Sequence, residues 1–590
     1  MASHGAISSA RFRKSANSQA SPRTRSEVSR SFCHFISSPA DAQCFTLDGV
    51  RFDPLDPAHW QRAETLMSKL GHLIRYNPDP RKAQPNRNLP SGYTYFLQTI
   101  AHDLVHSSIS TSLGDGLTSG LSNVRHLPLR LETVYGGGPM QCPYAYEASQ
   151  VEFRNKLRLG NSRIDGADQD HQGPRKDIAR ATTSTVRELS GYAEALIADP
   201  RNDSHAIISQ MLVLFHELHN YIVDELARSG SFDPTDNSFA DAQRLFVAAR
   251  TACILIYRNL IRRDLLPRIL HKDVWEAYET SRQRPFPSLV NGEWRAPLEF
   301  TNGFFRFAHS MIRAAYRFNR DAPEAFPIDR ILNRTSENSP SDVPLEAIWL
   351  VNWELFFGDD HAIGNVSTRI GPWSQVGIGE DVPGEGNLIV RDLLSSIAIR
   401  PWSVGHLIDR LRESHESLLE KSEFLSGLSN SGSRPWAPRI AEWLTKRSEE
   451  TYGSEFKLSG KEIQALANDP PIPFFVRFEA GLDSGNGGER LGILGSIVVA
   501  DVIYGVLEHD RLLAKDRVDG LQSELARLSA TMLGDKVGRG NIFAFLSEIE
   551  DPDRGFNIAS VRRFLDQRQA TADDTSTQHD NRISAGGEKL

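Results

Sequence analysis

Cysteine is scarce in this chain and badly placed for cross-linking or zinc. Cys33, Cys44, Cys142 and Cys253 stand far apart and form no Cys-x-x-Cys pair, which excludes a zinc ribbon and a dense disulfide framework. A reducing, cytoplasmic setting is expected. Long apolar runs are also missing. The strongest, Leu491 to Leu507, is short for a bilayer span and contains Asp501, so it reads as a core helix and no transmembrane segment is expected. No run of seven or more apolar residues follows the basic residues of the N-terminus, so a secretory signal is not expected, although a transit peptide stays open. With a net charge of -8 and no basic stripe, nucleic acid and anionic membranes are poor partners. No repeat of fixed period occurs.

What is present is helical periodicity, which outnumbers strand alternation throughout the chain. The fold class expected is mainly α, one large helical domain over residues 45–566. It would be flanked by a disordered Ser/Arg-rich basic tail, 1–44, and a disordered polar tail, 567–590. Within the domain, helices are expected over Ser204–Arg228, Phe239–Arg262 and Gly303–Phe318. Residues 150–180 and Ser426–Pro438 read as loops. Residues 340–360, with Trp349, Trp353, Phe356 and Phe357, read as an aromatic core segment.

The stretch Ser91–Ser108 carries the first chemical signal. Gln98 and His102 are one helical turn apart and share a face, while Phe96, Ile100 and Leu104 can pack elsewhere. Alone, this also describes a structural histidine in a buried helix. The HELHN segment is not a zincin motif, because His216 and His219 are three apart where two zinc ligands need four; a structural His219–Asn220 pair fits better. The glycines of LETVYGGGP close a turn and allow close approach. No Lys-Ser/Thr follows them, so they form no phosphate loop.

Three separated signatures then occur in order: FLQTIAHD, DPRND and FFRFAHSM. Together they resemble the animal-type haem peroxidases of the peroxidase and cyclooxygenase superfamily, bacterial and fungal members especially. LETVYGGGP, FHELHN, EFTNGFFRFAH and the late GGERLGILGSIVVADVIYGVLEHD support the likeness, which spans about 45 to 550. The resemblance implies a fold enclosing a buried haem, with Gln98 and His102 as distal residues, Arg201 as the distal cation and His309 as the proximal iron ligand. Arg306 and Asp392 would lie on the cofactor's proximal side. Asp103 matches the family's calcium-ligand aspartate, but no companion loop is recognisable, so calcium stays open.

The residue types suit that chemistry. A neutral imidazole supplies one axial nitrogen and leaves the opposite face open. A base of near-neutral pKa can move the peroxide proton, and a guanidinium can offset charge on the departing oxygen. The implied activity is reduction of hydrogen peroxide through a ferryl intermediate, with a small organic reductant or halide as partner.

Two departures stand out. Where the family has an Asp and a Glu esterified to haem, this chain has Ala101 and Ser204, so non-covalent haem b is expected. The next residue, Met in one branch, is His205. A fatty-acid dioxygenase or cyclooxygenase-like enzyme is the second reading, weakened because Arg306 stands where that branch has its radical tyrosine. A non-catalytic haem-binding protein is the third.

Overall fold

The computed structural model describes residues 32–75, 85–111, 119–125, 127–148, 154–164, 173–174, 176–182, 193–229, 239–283, 285–286, 289–290, 293–322, 324–358, 364–374, 387–426, 434–509, 521–533, 541–549 and 556–568. The fold is mainly α. The helices that matter for the site are α1 (Pro57–Arg75), α2 (Gly92–Leu104), α3 (Ala206–Arg228), α4 (Phe239–Asn259), α5 (Leu388–Ala398), α6 (Val404–Leu419), α7 (Ile472–Leu482) and α8 (Ile493–His509). Strands among the described residues are short and pair only in twos.

Packing follows from which faces are apolar. α3 buries Ile207, Met211, Leu214, Leu218 and Ile222 at helical spacing and packs on α2 and α4. α8 is apolar on every side, and such a helix belongs in a core; Ile493 through Tyr504 are all buried. That agrees with the expectation for Leu491–Leu507. Asp501 sits in this core, accepting from the Tyr278 hydroxyl at 3.0 Å and from the Phe286 amide at 3.0 and 3.1 Å. No helix among the described residues is long and apolar enough to cross a membrane.

Several expected boundaries move. The described residues begin at Phe32, so residues 32–44, expected within the N-terminal tail, include packed positions. Phe32–Cys33 pairs in parallel with Ala296–Pro297, Phe35 is buried, and buried Glu299 accepts from the Phe35 amide at 2.8 Å. Two buried aromatic rings outweigh the polar composition around them. Residues 1–31 and 569–590 lie outside the described residues. The helix expected over Gly303–Phe318 is instead a 3-10 helix, Phe304–Met311, followed by a short strand, Ala315–Tyr316. Side chains capture the backbone there: the Thr368 hydroxyl donates to the Ser310 carbonyl at 2.6 Å, and the Arg313 amide donates to the Tyr316 hydroxyl at 2.8 Å.

The helix from Phe239 runs as α to Asn259, then continues as a wider π turn, Leu260–Leu265. Within 150–180, Leu159–Gly160 pairs with Asp177–Ile178, Leu157 and Arg163 form isolated bridges, and Arg180 begins a further short strand. Ala437 already starts a helix, so the expected Ser/Gly loop ends earlier than Pro438; residues 427–433 lie outside the described residues. Trp349, Trp353, Phe356 and Phe357 are all buried, as an aromatic segment should be, on a 3-10 turn and a one-turn helix. Gly136, at φ 53°, closes the short helix Glu132–Tyr135, the role expected of the glycine run.

Candidate active site

One apolar cavity gathers most of the candidate residues. Gln98 and His102 from α2, Arg201 from the turn Pro200–Asp203, and Arg306 and His309 from the 3-10 helix all line it. Phe300, Phe305, Ile312, Ile328 and Leu332 supply much of the apolar wall.

Each residue is placed by local backbone logic. On α2, positions 98 and 102 stack along one side. On a 3-10 helix, residues three apart eclipse one another, so Arg306 and His309 face the same way. Gly303 permits that helix to seat against α7, because a Cβ there would meet the Glu299 carbonyl at 2.6 Å and Ile472 at 2.7 Å. Asp199 caps the turn that carries Arg201, accepting from the Arg201 amide at 3.0 Å, with Pro200 as the first residue of the turn.

His309 is held through Nδ1, which lies 2.5 Å from Asp392 Oδ2. Burial lowers the imidazole pKa, and the Asp392 carboxylate offsets part of that loss, so the ring is neutral. Asp392 itself is opposed by burial but is held down to about 2 by His309, Arg306 and Arg477. The Arg306 and Arg477 guanidiniums donate to it at 3.5 and 3.4 Å, and Arg477 also donates to the Arg306 carbonyl at 3.0 Å. Nε2 is the ring nitrogen of His309 left for a metal.

Across the cavity, Arg201 is buried and held on several sides. It donates to Asp199 at 2.7 and 3.1 Å, to the Val105 carbonyl at 2.7 Å and to the His102 carbonyl at 2.8 Å. Burial opposes the Asp199 charge, but Arg201 and Arg125 together hold its carboxyl below the usual range. Two guanidiniums share one carboxylate, so the group keeps a net positive charge beside His102. Gln98 is fixed as well: its Oε1 lies 2.9 Å from His205 Nε2. The other His205 nitrogen accepts from the Ile208 amide at the start of α3, so Nε2 carries the proton and donates.

The remaining candidates lie elsewhere. Asp103 is buried, accepts from the Leu131 and Thr133 amides at 2.9 and 3.3 Å, and is pushed up to about 6 by burial. It anchors a turn, and among the described residues no group of three or more His, Cys, Asp or Glu could hold a metal ion. His216 and His219 are structural, bonded to the carbonyls of Arg158 and Asn155, while Asn220 pairs with the Leu157 backbone and not with His219. Sequence reading passed over Asp199, Arg477 and Tyr95. Only Asp199 had a local signal, an aspartate before a proline at a helix start.

This donor set fits haem. A single neutral imidazole with one nitrogen fixed can present the other to iron, and apolar walls suit a flat macrocycle.

Comparison with known proteins gives one partial family match and one shared fold. Residues 147–351 match the animal haem peroxidase family, a stretch that holds Arg201, Arg306 and His309. That match covers about a third of the chain and is a likeness to the animal haem peroxidases over that stretch. Peroxidase A from Dictyostelium discoideum shares the fold at a TM-score of 0.50 and 11% identity, over 90% of this chain and 98% of its own. Fatty acid alpha-dioxygenases also align. That from Arabidopsis thaliana has 13% identity, TM-score 0.41, and covers 79% of this chain and 72% of its own. That from Oryza sativa has 11% identity, TM-score 0.41, and covers 91% and 93%. No curated protein matches the sequence.

Proposed function

We propose that the chain is a haem peroxidase that reduces hydrogen peroxide and oxidises small organic molecules or halide. The observation that carries this reading is the placement of Gln98, His102 and Arg201 on the same cavity as the Asp392-bound His309. Non-covalent haem b, when bound, would supply the redox chemistry that breaks the O–O bond. The protein's part is proton movement and orientation. His309 would hold the iron through Nε2, while Asp392 keeps the Nδ1 proton and strengthens the donor. His102 would take a proton from one peroxide oxygen and return it to the other, so that the second leaves as water. The net positive Arg201–Asp199–Arg125 group favours the negative charge that builds on the departing oxygen. Gln98, anchored by His205, would orient water or peroxide. In sum, one peroxide and two one-electron donors AH give two waters and two A radicals.

The deciding experiment is the visible spectrum of the haem-loaded protein with and without peroxide. A Soret band that shifts on adding peroxide and returns on adding a phenol is the expected result. A haem spectrum indifferent to peroxide would leave a binding protein instead. Oxygen uptake with an unsaturated fatty acid exceeding phenol oxidation would favour the dioxygenase reading.

A further inference from the structure

A phenol does line the cavity, although not at position 306. Tyr95, on α2, is buried in the cavity wall, and its ring meets Tyr316 with centroids 5.6 Å apart. Tyr316 stacks on Phe356 at 5.9 Å with the planes 12° apart. Phe356 meets Trp353 edge to face at 5.9 Å. Trp353 in turn lines a second cavity of about 490 Å³, bounded also by Val213 of α3 and by charged side chains of both signs, among them Lys176, Arg563, Glu217 and Asp566. Four aromatic rings in successive contact therefore join the two cavities. All four are buried, and a low-dielectric file of rings in contact is a path for electrons that excludes water.

We propose that Trp353 is a second oxidation site, at which bulky aromatic reductants bearing hydroxyl or amine groups give electrons that the first cavity consumes. The proposal rests on the peroxidase reading. Indole is the most readily oxidised ring at the outer end of the file, whereas Phe356 can only bridge. In each half-turnover Trp353 loses one electron through Phe356, Tyr316 and Tyr95, and keeps its indole proton. The reductant then returns one electron to Trp353 and releases one proton to water. Two half-turnovers supply the two electrons for one peroxide. The two protons released at the second cavity balance the two taken up as peroxide becomes two waters, and the aromatic residues end unchanged. The second cavity sets Trp353, Val213 and Leu350 beside acidic and basic side chains, a lining that suits a substituted aromatic ring bearing polar groups.

The test uses the haem-loaded full chain, the bis-sulfonated donor ABTS, and the variants Trp353→Phe and Trp353→Tyr. Phenylalanine keeps a ring in the packing but cannot be oxidised, whereas tyrosine can. Trp353→Phe should lower peroxide-dependent ABTS oxidation at least tenfold, while the peroxide-induced Soret change keeps the wild-type rate. Trp353→Tyr should restore part of the ABTS rate. Rapid freezing of wild type after peroxide, without donor, should trap an indole radical by electron paramagnetic resonance, absent from Trp353→Phe. ABTS oxidation at the wild-type rate in Trp353→Phe, or a radical spectrum that the substitution does not alter, would overturn the proposal. A wild-type Soret band that ignores peroxide would instead overturn the peroxidase reading on which it rests.

Discussion

Asp392 Oδ2 lies 2.5 Å from His309 Nδ1 and 3.4 Å from a terminal nitrogen of Arg477, so one carboxylate oxygen serves both an imidazole and a buried guanidinium. A carboxylate bonded to imidazole increases its donation to a bound metal. Guanidiniums on the same carboxylate draw charge the other way. With His309 as the proposed iron ligand, the balance between them would set how strongly it donates.

Replacing Asp392 by Asn tests that balance. The amide cannot carry the negative charge, so His309 becomes a weaker donor, and the reduction potential of the loaded protein should rise in spectroelectrochemical titration. The same change leaves Arg306 and Arg477 buried without their counter-ion, a loss of about 3–5 kcal/mol for breaking a buried pair. Chemical denaturation should show it. An unchanged potential would mean that the carboxylate does not reach the metal electronically.

His102→Ala should leave haem bound and slow the peroxide-induced Soret change by about 10² to 10⁴-fold, the usual effect of losing a positioned acid-base group. Stopped-flow mixing measures it. Arg201→Ala is a less clean probe, because it also strips donors from Asp199 and from the carbonyls of His102 and Val105. A destabilised protein is expected there as well as a slower reaction. Wild-type rates in both would remove these residues from the distal role.

His205→Ala removes two supports together: the acceptor for the Ile208 amide at the start of α3 and the donor to Gln98 Oε1. Loss of the cap should cost about 0.5–2 kcal/mol. If Gln98 works only when oriented, the variant should also raise KM for peroxide more than it lowers kcat. A stability loss with unaltered kinetics would confine His205 to capping.

Asp501 predicts the pH dependence of stability. Burial raises its carboxyl from 3.8 to about 8, against partial relief from the Phe286 amide and the Tyr278 hydroxyl. Tyr278 also lies 3.0 Å from His415 Nε2, whose ring burial lowers to about 4, so no cation offsets the charge. The folded protein therefore holds this proton while the unfolded chain has released it. The contribution to stability is complete below about pH 4 and falls by up to about 1.4 kcal/mol per pH unit between the unfolded and folded values. Asp501→Asn keeps an acceptor without the charge. Its melting temperature should gain on wild type as pH rises from about 5 to about 8, and parallel curves would show Asp501 to be ionised in the fold.

The legible parts of this site were those written in local spacing. Gln98 and His102 share a face by a helical period of 3.6, whereas Arg201 and His309 were singled out only by the family resemblance of the motifs that hold them. Arg477 was invisible because it reaches Asp392 across 85 residues of chain, through a packing of α7 that no periodicity records. The 3-10 geometry around His309 was likewise hidden: FFRFAHSM has an α-compatible pattern, and its tighter winding accompanies the close seat of Gly303 on Ile472. The packing of Phe32 and Phe35 against buried Glu299 was not legible because composition averages over a polar stretch.

The proposal that haem is held without a covalent bond turns on two residues at the cavity. An ester to a haem methyl needs a carboxylate, and Ala101, which lines the cavity, has no functional group. Ser204 offers a hydroxyl, already within 3.5 Å of the Gln98 amide nitrogen. His205 stands where one branch of the resembled family bonds through sulfur, but both its nitrogens are engaged, by Gln98 and by the Ile208 amide. On the proposed reading, retention would depend on His309 ligation and on the apolar walls. Acidified organic solvent protonates the imidazole and unfolds the walls, so it should extract unmodified haem b and leave a polypeptide with the mass of the bare chain. His309→Ala should lose the axial nitrogen signature and most of the haem under native conditions. Haem that stays with the denatured chain would show a covalent bond, and peptide mapping around residues 98–103 and 201–206 would locate it.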